Sequence, residues 1–391
     1  MSTVGERVRA ARKRTGLTQA ELAKAARISK RTVEDVENDR VRTKLETLRK
    51  LAVPMRTTTT FLQAGQVHET DADGATVDRW AAVRGTLMGP PAEPGELGQE
   101  PTVRGVETLV RDATPMFAGD RFAELAVYLP PLLREADALG AEGRRVRVRL
   151  LQLAGWLMVQ TRQFEAAETA LHRALDDSGD KLEGAATVNT LCWLLLRQGK
   201  LGEARELAVK WADDLEPRMS RATPDELSAW GWALLRVSAA SVRDGRPGDA
   251  EDALRLAHGA AVVLGREHAP DGDFLRTFGP VTVAIKRGEN ASVVNRPDEV
   301  LRLAGEVPPG GLRPTSNNWN RHLLDVSNAY VELRNYGAAV AKLAEVHRNS
   351  PEWLPNQRFA RDILGRVVKR RRTLTPEIRT LAEAVHLPAE M

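Results

Sequence analysis

The chain has 391 residues, of which 42% are hydrophobic, 5% aromatic and 28% charged, with a formal net charge of +4. That length and apolar content suit two or more domains, or one long repeat array around a substantial core. A single cysteine, Cys192, excludes an intramolecular disulfide and a cysteine-based metal site; without an apolar run of about 18 residues or a signal-peptide pattern, a cytoplasmic protein with no membrane span is expected.

The charge is uneven. Residues 1–56 carry fifteen Lys/Arg against seven Asp/Glu, a net of +8, while the remaining 335 residues carry 42 against 46, a net of −4. A phosphate backbone needs such a local excess of positive charge. An ordinary solubilising surface is the bland alternative, and the motif found in the same segment argues against it.

In chain order, Thr3 with Glu6 forms a capping box for a first helix that runs to about Arg14, buries Val4, Val8 and Ala11, and ends at Gly16. Thr18 with Glu21 caps a second helix carrying Leu17, Leu22 and Ala23 inward. Ala25-Ala26-Arg27-Ile28 leaves room only for a sharp turn. Ser29 then caps a third helix with Val33 and Val36 inward, and a fourth spans about 44–52 with Leu45, Leu48 and Leu51 at core spacing. Two short helices joined by a tight turn are a helix-turn-helix, whose second helix enters the major groove of DNA. Pro54 and the run Thr57-Thr58-Thr59-Thr60 then break the helical pattern.

Residues 4–53 resemble the lambda-repressor-like family of bacterial regulators, also called the xenobiotic-response-element family. The matching pieces are Gly5-Glu6-Arg7-Val8-Arg9, Leu17-Thr18-Gln19-Ala20-Glu21-Leu22-Ala23, Ser29-Lys30-Arg31-Thr32-Val33, Val36-Glu37-Asn38 and Leu45-Glu46-Thr47-Leu48. The resemblance implies that Gln19, Ser29, Lys30, Arg31, Thr32, Asp35 and Arg40 face the duplex, and that Glu37 pairs with an Arg of the first helix, Arg12. The side-chain chemistry agrees: Arg31 suits guanine, Thr32 a thymine methyl and Lys30 a phosphate. Glu34 and Asp35 are equally readable as a plain exposed face.

Residues 57–101 read as a linker with one amphipathic helix, apolar at 77, 80, 83 and 87, followed by Gly89-Pro90-Pro91. That helix is expected to dock on the body or on a dimer partner.

Residues 102–355 contain repeated helix pairs. Phe164, Leu201, Pro247 and Tyr336 each follow a short turn and each begin an apolar series at offsets 0, 3, 7 and 10, with fainter copies at Phe122 and Pro297. This resembles a degenerate tetratricopeptide repeat, which implies a right-handed superhelix with a concave inner surface. The ligand candidates on that surface are Asn189, Arg287, Asn290, Asn318, Arg321 and Asn328, because amides can bind a peptide backbone and Arg a carboxylate. Asn317, Asn318 and Asn320 are also readable as helix caps, and His322 with Asp325 as a surface pair. His258, His268 and His347 read as ordinary surface residues. In residues 356–391, a helix from Arg358 is expected to cap the array, and one from Pro376, carrying Ile378, Leu381 and Val385, to pack on a dimer partner.

The expected fold is therefore all-α, a helix-turn-helix head followed by a superhelical repeat array. The combination resembles peptide-responsive quorum-sensing regulators of Gram-positive bacteria and, more closely, repeat-containing helix-turn-helix regulators of actinobacteria. It implies a homodimer on a pseudo-palindromic operator in double-stranded DNA, sensing a peptide or small molecule. No nucleotide-binding loop, metal cluster or nucleophile elbow is legible, and Cys192 reads as buried filling. No enzyme and no cofactor are expected. Repression by blocking a promoter is the simpler mechanism; a DNA-tethered interaction scaffold is the second reading.

Overall fold

The computed structural model describes residues 3–15, 17–41, 43–55, 62, 78–95, 100–270, 276–307, 316–370 and 374–387. Gly16, the threonine run, the loop at 63–76 and Arg371-Arg372 lie outside the described residues. Among those described there are nineteen α-helices and no β-strand, apart from an isolated antiparallel bridge between His268 and Phe278.

The head contains α1 (Val4–Arg14), α2 (Gln19–Ala25), α3 (Lys30–Glu37) and α4 (Leu45–Ala52). Thr3 and Thr18 form their capping boxes with Glu6 and Glu21, and Ser29 accepts from the Thr32 amide. Each cap satisfies amides that a helix start leaves without partners. Val8, Leu22, Val33, Val36, Leu48 and Leu51 close a core separate from that of the body. The core extends beyond residue 56: Leu62 is fully buried in it, and its carbonyl accepts from Arg7 Nε at 2.9 Å.

Helix α5 (Ala81–Met88) belongs to the body. Val83 and Leu87 are buried in the body core, and Trp80 meets Phe122 edge-on at 6.3 Å between ring centroids. Six helix pairs follow: α6 (Val103–Ala118) with α7 (Phe122–Ala138), α8 (Arg144–Gln160) with α9 (Phe164–Asp176), and α10 (Lys181–Gln198) with α11 (Leu201–Leu215). The others are α12 (Pro224–Arg243) with α13 (Pro247–Leu264), α14 (Pro280–Val293) with α15 (Pro297–Glu306), and α16 (Ser316–Glu332) with α17 (Tyr336–Asn349). The second helix of every pair begins at the residue expected from the repeat.

The six turns share one backbone design. The residue two before each second helix has positive φ: Asp120, Arg162, Gly199, Gly245, Asn295 and Arg334. The next residue donates its amide to the carbonyl five positions back, as in Gln163 to Met158 at 2.8 Å and Asn335 to Tyr330 at 2.8 Å. This is a Schellman cap, which returns orphan carbonyls to the ladder and sets the direction of the next helix. Only two of the six positions hold glycine, so turn geometry recurs more strictly than turn sequence.

First helices of successive pairs touch one another as well as their own partners, so the stack curves with the first helices inside. The array closes on itself. Asn317 Nδ2 donates to Asp120 at 2.7 Å and its Oδ1 accepts from Gln160 at 2.8 Å. Trp353 Nε1 donates to Gln160 at 3.0 Å, and Glu352 accepts from the Ala123 amide at 2.7 Å. These bonds join the last pair to the first two, and the inner side of the ring so formed, where the first helices face one another, is termed the lumen. Helices α18 (Arg358–Val368) and α19 (Pro376–Ala384) complete the body. Ile378, Leu381 and Val385 of the tail are buried against the chain's own core, not left free for a dimer partner.

Candidate nucleic-acid interface and body lumen

The head is organised around one buried carboxylate. The Glu37 side chain, at the end of α3, has no exposure. Arg12 of α1 grips it bidentately, with Nε to Oε1 at 2.6 Å and Nη2 to Oε2 at 3.0 Å, and donates a third bond to the Leu17 carbonyl at 2.9 Å. Gln19 of α2 donates to Oε2 at 2.8 Å, and Arg9 reaches the Glu37 carbonyl at 3.1 Å. Burial pushes the Glu37 carboxyl up, but the bonds from Arg12 and Gln19 outweigh it, so its pKa lies below the usual carboxylate value. Three helices are thereby locked at one point.

With Val33, Val36 and Glu37 turned inward, α3 presents its opposite face to solvent. Ser29, Lys30, Arg31 and Arg40 are exposed, and Thr32 and Asp35 are half-buried. Arg31 is 90% exposed; its Nε lies 3.8 Å from Asp35, and Lys30 Nζ lies 3.3 Å from Glu34. Such exposed pairs hold their side chains weakly, leaving both cations able to exchange their partners for DNA. Gln19 differs from the other candidates because its amide nitrogen is engaged by Glu37, with the side chain half-buried.

The ligand candidates of the body mostly bond within the chain. Asn189 accepts from Arg236 Nε at 2.5 Å, Asn290 donates to Ser238 at 2.7 Å, and Asn328 accepts from Arg366. Arg287 lies 3.5 Å from Glu251, and Asn318 is half-buried near the closure. Arg321 stacks over the Phe359 ring at 4.9 Å, with its Nε buried. His322 and Asp325 are each 3% exposed, so they are buried groups and not the surface pair expected from one reading. Burial, together with Lys342 and Lys286, lowers His322 to about 4, and burial raises Asp325 to about 6. His268 also departs from a plain surface role: its Nε2 lies 2.6 Å from Asp225. Cys192 is buried, its thiol pushed up to about 12 by burial, which makes it an inert filler.

The residues that line the lumen were partly missed in the sequence. They are Arg197 and Trp193 of α10, Arg236, Arg243 and Trp232 of α12, and Lys286 and Glu289 of α14. Counted back from the first residue of each second helix, lumen residues occupy positions −4, −8, −11 and −15, a single helical face. Arg321, Asp325 and Asn328 occupy three of these positions. Asn189, Arg287 and Asn290 each lie one residue off, about 100° around the helix. Indexing the helices from their turns finds this face, and among the ligand candidates Arg321 and Asn328 fall on it.

Glu289 accepts from Arg243 at 2.5 Å and Lys286 at 3.0 Å. Their charges, with Arg321, hold its pKa well below the usual carboxylate value against the opposing effect of burial. Lys286 and Glu289 keep only 12% and 13% of their side-chain surface open. Burial, reinforced by the charges of Arg162, Arg321 and Arg358, lowers Arg197 to about 9; burial draws Arg236 down to about 10.

Residues 8–62 match the model of a helix-turn-helix family. The head is thus a helix-turn-helix domain of the lambda-repressor-like type, and the class so defined is that of helix-turn-helix DNA-binding regulators. No curated protein matches the chain. Among solved structures, it is similar to PlcR of Bacillus thuringiensis, crystallised with the peptide PapR7 and DNA. The identity is 11%, the match covers 88% of this chain and 99% of that one, and the TM-score is 0.37. A likeness of this degree assigns no residue roles here.

Proposed function

We propose that the chain is a homodimeric, sequence-specific transcription repressor whose body senses a peptide or small molecule. The observation that carries this reading is the head: Glu37, Arg12 and Gln19 clamp α3 so that Lys30, Arg31 and Thr32 stand at its outer N-terminal end. A helix so presented fits the major groove, and a dimer presents two of them to half-sites about 34–36 Å apart. Arg31 reads a base, Lys30 and Arg40 hold phosphates, and ligand in the lumen changes the spacing of the heads by binding the two states unequally.

The test is selection of binding sites from random duplex DNA at two salt concentrations, with light scattering for subunit number. Recovery of one inverted repeat by a dimer, lost in R31A, supports the proposal. Weak, salt-erased binding without a motif would overturn it. The second reading, a DNA-tethered interaction scaffold, is favoured by Leu256, Val262 and Val263, which stand 53%, 61% and 54% exposed on α13. On that reading, L256S/V263S abolishes partner capture and leaves operator choice unchanged.

A further inference from the structure

We infer that the lumen of the body is a binding site for a small, multiply charged anion bearing carboxylate or phosphate groups, held by Arg197, Arg236 and Arg321. This deepens the sensing part of the proposed function and rests on it.

The charges do not balance. Arg197, Arg236, Arg243, Lys286 and Arg321 converge from α10, α12, α14 and α16, and the acids among them are Glu289 and Asp325. Glu289 is already shared by Arg243 and Lys286. Burial raises Asp325 only to about 6, so it stays mostly charged at neutral pH and offsets part of the charge of Arg321, which still leaves five cations against two acids. The ring and hydrogen-bond contacts of Arg197, Arg236 and Arg321 are with uncharged groups, while Glu289 acts on Arg236 and Asp325 on Arg321 through space. Arg197 lies over the Trp193 ring at 5.8 Å, Arg236 meets Asn189 at 2.5 Å and the Trp232 ring at 5.3 Å, and Arg321 covers Phe359 at 4.9 Å.

Donors are left over as well. Arg197 Nε and Nη2 and Arg321 Nε are out of contact with solvent and have no hydrogen-bond partner. Buried polar atoms are ordinarily bonded, and a buried guanidinium is costly to leave without an acceptor. These two arginines come from the third and last pairs of the six and sense each other's charge, so the closure of the array brings them together. Planar guanidinium forks suit the paired oxygens of carboxylate and phosphate, and the aromatic rings hold them ready in position. An anion entering here supplies acceptors to the orphan donors and neutralises the mutual repulsion. Because the donors lie on both sides of the closure, a bound anion also ties the last pair to the earlier ones, a route from lumen to body shape.

The test uses the full chain and thermal unfolding followed by tryptophan fluorescence, with citrate and inorganic pyrophosphate as probes and sodium chloride at matched ionic strength. A saturable rise in Tm of several degrees is expected for at least one anion. Response to citrate alone assigns a carboxylate ligand, and response to pyrophosphate alone a phosphate. R197Q/R321Q is expected to weaken the apparent affinity at least tenfold. R197M/R321M is expected to raise the Tm of the ligand-free chain while losing the response, because two buried guanidiniums with unsatisfied donors are removed. A shift that follows ionic strength only, or survives unchanged in both variants, overturns the inference, as does a lowered ligand-free Tm in R197M/R321M. Site selection separates the two proposals: an anion-blind body with intact operator choice refutes this one alone, and a saturable anion response without operator choice refutes the DNA reading alone.

Discussion

Replacing Arg12 by Met tests whether the buried carboxylate is the hinge pin of the head. The substitution keeps the length and apolar stem of the side chain but removes both bonds to Glu37, at 2.6 and 3.0 Å, and the bond to the Leu17 carbonyl at 2.9 Å. Glu37 would be left fully buried, with Gln19 at 2.8 Å and, as its nearest remaining cation, Arg9 at 3.7 Å, whose side chain is 41% exposed. Breaking a buried pair from one side costs about 3–5 kcal/mol, and the surviving Arg9 puts this case near the lower figure. About 3 kcal/mol corresponds to roughly a hundredfold rise in the opening equilibrium, since 1.4 kcal/mol is a factor of ten. All eight tryptophans lie at residue 80 or later, so fluorescence is blind to the head. Hydrogen exchange of peptides from residues 4–52, read by mass spectrometry, sees it directly. R12M is expected to lose about a hundredfold of protection in α1, α2 and α3 with the body unchanged, and R12M/E37M to recover most of it. The pH dependence has a definite sign. The folded pKa of Glu37 is lowered, so its stabilisation is full above the ordinary carboxylate value and is lost as pH falls through the folded value. Protection in R12M within threefold of the parent, or a double variant as open as the single one, would refute the account.

Other outcomes follow from single contacts. Arg334 is exposed and holds φ at +62° in the last turn; Arg334→Gly should stabilise the body by about 0.5–1 kcal/mol, seen as a higher urea midpoint, because the left-handed conformation costs a side-chain-bearing residue about 1–2 kcal/mol and glycine returns part of that as chain entropy. A Cβ at Gly231 would sit 2.0 Å from the ring of Phe278, which is fully buried; Gly231→Ala should cost about 3 kcal/mol or more by overpacking and shift the emission of the adjacent Trp230 and Trp232. His322 titrates near 4 in the folded chain, below its unfolded value, so stability is full above about pH 6.5 and declines as pH falls toward 4, by at most about 1.4 kcal/mol per pH unit. His322→Gln should flatten that part of the pH–Tm profile, and a profile identical to the parent would contradict the burial argument.

Local chemistry was legible in the sequence. Thr3, Thr18 and Ser29 announce three helix starts because a hydroxyl beside free amides has one obvious use. Phe122, Phe164, Leu201, Pro247, Pro297 and Tyr336 mark the second helices because each heads an apolar series on one helical face. Glu37 was traceable through a motif. The closure of the array was not. Asn317 has the composition of a helix cap, and nothing near it in sequence points to Asp120 or Gln160, 197 and 157 residues away. The same holds for Arg197 and Arg321: each ends up among neighbours contributed by helices distant in sequence, and only the curvature of the stack brings them together. Spacing along one helix determines which face a side chain shares. What lies opposite that face depends on the summed rotation of six helix pairs, set by packing and turn geometry, so the head and the repeats could be read from the sequence while the charged lumen belongs to the tertiary structure alone.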